Sequence, residues 1–383
     1  MFSFLFSTLD EWEELRRTIS PPAHAHLAKL AEEARNEAAP SVTSKIEPAP
    51  SGNPNDYQSL GIYWWPDPSK PGGTPYIRRD GEINPEVARF DRPSLDRMTQ
   101  GVSCFILRAW CDGDSAYYRE AARWLRVWFL DPATRMNPHL QFAQHIPGQC
   151  EGRGIGLIET DIFVFLLDIL PLLVRSGQWP EDECSGVFNW FREYQQWFRA
   201  SEHGRRECGE HNNHGTWYDL QVMAYARATG ESRILLRQWE NHSRSRIISQ
   251  ITADGEQPFE NARTLSFNYN IFNLTAFMGI FTLAARELDA FSERFPTELK
   301  RLRCAYEQLV PYMASQDQWP HPQIKPFTGQ GLRWLTARAP RVLNEEGIWT
   351  ATPPPPKLRG WEWQCLAPQI GEAERQPIPT SHG

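Results

Sequence analysis

The chain has 383 residues, of which 40% are hydrophobic and 23% charged, and its net charge is -7 at pH 7. This is a globular composition, long enough to bury a sizeable core in one large domain or two ordinary ones. The acidic balance argues against nucleic acid as the main partner but leaves room for an anionic ligand, because a local cluster of Arg, Lys and His can be positive on an acidic protein.

The N-terminal run Met1-Phe2-Ser3-Phe4-Leu5-Phe6-Ser7 is short, lacks a basic flank and soon turns acidic at Asp10 and Glu11, unlike a signal peptide. As written the chain reads as cytoplasmic; a secreted or periplasmic protein would need a leader ahead of it. No apolar run approaches a membrane span, since the one around Ile162 to Leu167 is flanked by Asp161 and Asp168. Residues 8–38 carry a helical pattern broken at Pro21-Pro22, and residues 39–61 are rich in Pro, Ser, Gly and Asn, as in an irregular loop. Next come Tyr63-Trp64-Trp65-Pro66-Asp67-Pro68 and Tyr76-Ile77-Arg78-Arg79-Asp80-Gly81, too rich in Pro for a helix and too aromatic for a plain linker. An ordered loop of this kind is expected to wall a functional cleft.

Helical stripes then follow one another. Leu95, Met98, Val102 and Phe105 form the first, Tyr117, Ala121, Trp124 and Trp128 the second. Residues 156–174 are apolar on nearly every face and should be buried, and Val187, Trp190, Phe191, Tyr194 and Phe198 make another stripe. Further helical patterns cover 217–228, 233–251, 271–288 and 297–313, with a shorter one at Leu332–Leu335. Period-2 strands are almost absent, there is no βαβ alternation, and no fixed repeat length is found. The pattern predicts an all-α fold, an (α/α) toroid or incomplete barrel of helical hairpins. Residues 1–60 read as N-terminal helices and a Pro-rich lead-in to the same domain, 61–340 as the toroid, and 341–383 as a loop-rich tail. The 16 tryptophans have two usual homes, helical cores and clefts where flat rings stack on sugars. The seven cysteines are scattered without C-x-x-C spacing, so most are expected to be thiols.

Several chemistries lack their residues. Gly152-Arg153-Gly154-Ile155-Gly156 has neither the preceding strand nor the Lys of a phosphate loop, and no G-x-S-x-G elbow or H-E-x-x-H helix is present. His203, His211 and His214 are close in sequence but lack a fourth metal partner, so neither metal nor cofactor is expected. What remains is Asn212-Asn213-His214 at the head of an amphipathic helix, where backbone N–H groups and the helix dipole favour an anion. A plain N-cap followed by a first-turn histidine accounts for the same residues. Further on, Arg263 and Tyr269 straddle a short linker into an apolar helix beginning near Ile271. An amide, an imidazole, a guanidinium and a phenol together suit proton abstraction beside a carboxylate.

Asn212-Asn213-His214-Gly215-Thr216-Trp217-Tyr218-Asp219 resembles the N-N-H-G-x-W-Y-D signature of the alginate-lyase-like polysaccharide lyases. The likeness continues in order through the Tyr63–Pro68 and Pro75–Gly81 blocks, Asn137-Pro138-His139-Leu140-Gln141-Phe142-Ala143-Gln144, Gly152–Gly156 and Glu260-Asn261-Ala262-Arg263-Thr264. The resemblance implies an (α/α) toroid that cleaves uronic-acid polymers by β-elimination. It implies that Asn213, His214 and Arg263 meet the sugar carboxylate and that Tyr269 is the catalytic phenol, which can take the C5 proton if its cationic surroundings partly ionise it. It leaves open whether Tyr269 is both base and acid, or His214 the base and Tyr269 the acid. In the better-known branch the arginine and tyrosine stand one residue further apart with Tyr-His before the final Tyr; the block here is Ser266-Phe267-Asn268-Tyr269. The chain is therefore more similar to sister branches, which include lyases for polymannuronate and for glucuronan.

Supporting candidates are Tyr63, Trp64 and Trp65 as cleft wall or core, Arg78 and Arg79 for neighbouring carboxylates, and Asn212 beside the helix start. Gln141, Gln144 and His145 could meet sugar hydroxyls, Glu159 could orient a donor or satisfy a buried position, and His321 and Lys325 could line the far end. The expected partner is an anionic polysaccharide or oligosaccharide. The competing enzyme class is an (α/α)-toroid glycoside hydrolase, which needs a flanking carboxylate pair; the third possibility is a non-catalytic carbohydrate-binding protein.

Overall fold

A computed structural model describes residues 3–327 and 331–343. Its order begins with α1 (Leu9–Thr18), α2 (Pro21–Arg35), β1 (Gln58–Leu60), β2 (Trp64–Trp65), β3 (Ile77–Arg78), α3 (Arg92–Asp112), α4 (Ser115–Phe129) and β4 (Phe142–His145). It continues with α5 (Asp161–Arg175), α6 (Glu181–Ala200), α7 (Glu202–Cys208), α8 (Asn213–Thr229), α9 (Ser232–Gln238) and α10 (Arg244–Gln250). The last elements are α11 (Pro258–Asn261), α12 (Ser266–Ala285), α13 (Phe291–Arg294), α14 (Pro296–Ala314) and α15 (Leu332–Leu343). The proline run and tail that the sequence places after residue 343 lie outside the described residues, as does Cys365; the remaining cysteines are free thiols. No described helix is long and apolar enough to cross a membrane.

The helices are punctuated by local chemistry. Thr8 and Glu11 form a reciprocal capping box on α1, Asp114 caps α4, and α3 and α8 stop at Gly113 and Gly230, both with positive φ. Between them α3, α5, α8, α12 and α15 pack in succession, with α4, α6, α9 and α14 against their outer faces. α5 and α12 are apolar on most of their faces, as helices buried on most sides must be. This is the all-α toroid read from the hairpin pattern. Asn273 is wholly buried in α12, where it donates to Gln250 and Gln257.

Two details depart from the sequence reading. The apolar segment from residue 156 opens as a 3-10 turn over Gly154–Thr160, and α5 starts only at Asp161. Gly156 lies against β4, where a Cβ would come within 2.6 Å of Ala143 Cβ, so this turn is shaped by contact with its neighbours and not by helix propensity. Short strands also form: β1 pairs parallel with β4, and β2 antiparallel with β3, matching Trp64 with Arg78 and Trp65 with Ile77. These ribbons are too short to show a period of two.

Asp168, the charge inside the most apolar helix, has a fully buried partner set. Its Oδ1 accepts backbone N–H groups of Leu5 and Phe6 at 2.7 and 2.8 Å and of Ser7 at 3.3 Å, and its Oδ2 accepts Ser7 Oγ at 3.0 Å. Arg286 and Arg338 grip the Phe6 carbonyl from the other side, both at 2.8 Å. The N-terminal segment is thereby fixed between α5, α12 and α15, with Phe6 edge-on to Trp334 at 5.5 Å. Asp168→Ala leaves several buried donors without an acceptor, so a stability loss of about 3 kcal/mol or more is expected from the denaturation midpoint, whereas an exposed Asp→Ala control should cost under about 0.5 kcal/mol.

Candidate active site

The site begins at the N-terminus of α8. Asn212 is the N-cap, its Oδ1 accepting from His214 N at 3.0 Å. Asn213 is buried and held twice by Glu260: its backbone N–H donates to Oε1 and its Nδ2 to Oε2, each at 2.7 Å. His214 turns Nδ1 toward Glu207 Oε1 at 2.8 Å, which leaves Nε2 as the ring atom open to a substrate. Glu207 and Glu260 are both pushed above the usual carboxylate range by burial; His214 opposes this at Glu207, while Asn213, Arg263 and His214 oppose it at Glu260. Glu260 thus feels both halves of the site.

The residues after His214 are tied down individually. A Cβ at Gly215 would fall on Arg246 Nη1 and the Glu210 carbonyl, so only glycine fits there. Arg246 donates to the carbonyls of Glu210 and, at 2.8 Å, Cys208, while its Nε meets Asp219 Oδ2 at 2.9 Å. Gln238 and Ser243, at either end of the π-turn between α9 and α10, also bond Asp219. Thr216 bonds Gln250, Trp217 stacks on Phe272 at 4.6 Å, and Tyr218 stacks on Phe198 at 5.0 Å.

The second half comes from α11, α12 and the β2–β3 ribbon. α12 starts at Ser266, earlier than the apolar run suggests, so Tyr269 sits in its first turn. Arg263 Nη2 donates to Tyr269 OH at 2.8 Å and to Asp80 Oδ1 at 3.1 Å, with its guanidinium carbon 3.8 Å from the Tyr269 ring centre. Tyr63 OH lies 2.9 Å from the same phenol. Asp80 also accepts from Arg78 at 2.6 Å and Thr264 at 2.9 Å; burial works against its ionisation, but Arg263, Thr264 and Arg78 outweigh it and hold the carboxyl below its usual range. The Tyr269 phenol is raised above the ordinary tyrosine value, first by burial and next by Tyr63, with Arg263 opposing. Burial thus works against the ionisation that Tyr269 needs as a base, and Arg263 works for it.

The family model for alginate lyases matches residues 41–319. The chain belongs to the alginate lyase family. It is accordingly a polysaccharide lyase, of a family whose substrates are anionic polysaccharides. Among solved structures it is similar to an alginate lyase from Bacteroides ovatus, with 35% identity, a TM-score of 0.81, and coverage of 88% of this chain and 91% of that one. An alginate lyase from Sphingomonas species A1 is more distant, at 12% identity and a TM-score of 0.45 over 81% of this chain and 85% of that one. No curated protein matches the chain.

In this member of the alginate lyase family, the structure joins Tyr63 and Arg78 directly to the Arg263–Tyr269–Asp80 group. Lys325 donates to the Gly81 carbonyl at 2.7 Å, pinning the same loop. Trp64 lies under Arg153 at 5.6 Å and Trp65 under Arg79 at 5.1 Å, both rings half-buried. Gln144 is buried and spends its side chain on Arg153, and Gln141 is exposed. Other candidates are not brought to the four central residues. His145 bonds the Ser59 carbonyl and faces a cavity of about 200 Å³ with Tyr76, Glu86 and Arg89. Glu159 is buried against Tyr57 OH at 2.7 Å, and His321 lies edge-on to Trp319 and approaches Glu256 at 3.4 Å. His203 meets the Gln141 carbonyl at 3.1 Å, and no metal-holding cluster is found among the described residues. Sequence reasoning missed Glu207 and Arg246, and quoted Arg153, Glu260 and Asp80 only as parts of longer blocks. Glu207 has no local signal, since its place beside His214 exists only once α7 folds back on α8.

Proposed function

We propose that the protein cleaves a β-linked polyuronate, mannuronate-rich alginate first, by β-elimination: H5 is abstracted, O4 is expelled, and an unsaturated uronate is left. The observation that carries this reading is the Arg263–Tyr269 hydrogen bond at 2.8 Å, beside an Asn213 and a His214 each held by a buried carboxylate. A C5 proton is barely acidic until the adjoining carboxylate is neutralised, so donors from Asn213 and Arg263 would stabilise the enolate-like dianion, while His214, its Nδ1–H on Glu207, turns the Nε2 lone pair to the site. Tyr269 as phenolate takes H5, and as phenol returns a proton to O4; the two lie on one side of mannuronate, so one group serves both steps. Arg263 is the group that stabilises the phenolate. The alginate lyase from Bacteroides ovatus supports alginate as the substrate class.

The test is ultraviolet absorbance of the new double bond with polymannuronate, polyguluronate, glucuronan and hyaluronan in parallel. A rise on polymannuronate is the expected result. A rise confined to glucuronan would move the substrate assignment, and a flat trace on all four would sink it.

The acid limb of activity should also be displaced. Glu207 and Glu260 are raised above the ordinary glutamate value of 4.5, so each accepts a proton at a higher pH than a free glutamate. If their carboxylates are needed to hold His214 and Asn213, kcat/KM falls as pH drops through those raised values. At the other end, kcat/KM should keep climbing into the alkaline range, because the raised Tyr269 phenol ionises late. An optimum below about pH 5 would contradict both assignments.

A further inference from the structure

Arg153 is a half-buried guanidinium with no carboxylate paired to it among the described residues. Its Nε donates to the Gln144 carbonyl at 2.9 Å and its Nη2 to Gln144 Oε1 at 2.8 Å, both neutral acceptors, and Nη1 makes no hydrogen bond among the described residues. Burial works against its charge and Arg78 adds to that, while Cys150, Glu159 and, less, Glu207 oppose it. Partly desolvated cations in proteins are usually paired, so one held only by amide oxygens is poised for an anion from outside.

The surroundings are built around it. Gln144 adopts φ 50, a left-handed conformation uncommon for a side-chain-bearing residue, and this directs its carbonyl and its amide together at Arg153. The guanidinium lies over Trp64, and Gly61 leaves space for both: a Cβ there would be 2.7 Å from Trp64 Cδ1 and 2.9 Å from Arg153 Nη2. The shelf reaches both halves of the site. Gly154, next in the chain, packs on α7, where a Cβ would be 3.4 Å from Glu207 N, and Trp64 is the ribbon partner of Arg78.

We propose that Arg153, laid on Trp64 beside Arg78, binds the carboxylate of the uronate adjoining the one attacked, so that the enzyme reads two consecutive carboxylates. The inference rests on the polyuronate-lyase reading. A planar guanidinium with free N–H groups suits a carboxylate, and the exposed part of the Trp64 ring suits a sugar face.

The test compares Arg153→Gln, Arg153→Lys and Gly61→Ala with wild type on polymannuronate, by initial rates and by calorimetric binding of a trimannuronate in a Tyr269→Phe background. Arg153→Gln should raise KM and weaken trimer binding about 10- to 100-fold, with kcat changed by less than about threefold. Arg153→Lys keeps the charge without the fork and should recover part of the loss. Gly61→Ala displaces the guanidinium with every charge retained and should move KM the same way; it decides the matter if Arg153→Gln does not fold. A fall in kcat at unchanged KM, or unchanged trimer binding, would overturn the proposal while leaving the lyase reading intact. Wild type inactive on every polyuronate would remove both.

Discussion

Tyr269→Phe should lower kcat by about 10³- to 10⁴-fold on the polymer that wild type cleaves, the upper range for loss of a general acid–base group. The substitution removes one oxygen, which in the structure is bonded to Arg263 at 2.8 Å and to Tyr63 at 2.9 Å. The ring stays, so the guanidinium keeps its aromatic face, and α12 keeps a first turn whose neighbours Phe267 and Asn270 are buried. KM and melting temperature should therefore change little, which separates a chemical role from a structural one. Tyr63→Phe is the matched control: it removes a partner of the same phenol but not the proton carrier, and should cost about tenfold or less. A Tyr269→Phe enzyme with more than a tenth of wild-type kcat would transfer the base role to His214 and leave Tyr269 at most a positioning part.

The all-α toroid was legible because its signal is periodic and local. The stripes in α3, α4 and α6 and the unbroken apolar segment of α5 each state their burial within a few turns, and Asn212 marks the start of α8 as a cap. Asn213, His214, Arg263 and Tyr269 stood out as residue types, and the resemblance added roles that no spacing could. Their supports were not legible, since they lie on other elements. Glu207 sits on α7, Glu260 on α11, Asp80 beyond β3, and Arg246 on α10, and each makes sense only through a contact the fold creates. The environment of the Tyr269 phenol was not legible for the same reason. Nearby cations were visible in the sequence, whereas the burial that outweighs them was not. Gly215 is the converse case: a helix-weakening residue in the first turn of α8 becomes intelligible once Arg246 is seen where a Cβ would go.

Arg263→Ala should lower kcat/KM by about 10³-fold, the second large effect, for reasons that separate into two parts. One guanidinium faces the phenol and, on the proposed reaction, the carboxylate on which negative charge develops; losing such a donor typically costs about 10²- to 10³-fold in kcat. The remainder comes from the phenol itself. Arg263 is the cation that opposes the burial holding Tyr269 protonated, so without it the base form becomes scarcer at any working pH. The alkaline rise of kcat/KM should accordingly move to still higher pH in Arg263→Ala, a shift that a purely substrate-binding arginine would not produce. Arg263→Lys should recover little, because an ammonium that met Asp80 and Tyr269 could not also lay a planar guanidinium over the Tyr269 ring. Asp80→Asn tests the arm that aims the fork: it keeps an oxygen for Arg263 but removes the charge shared with Arg78 and Thr264, and should cost about tenfold, mostly in kcat. If Asp80→Asn were as damaging as Arg263→Ala, aiming the fork would account for the whole effect, and the charge of Arg263 would have no separate part in stabilising the phenolate.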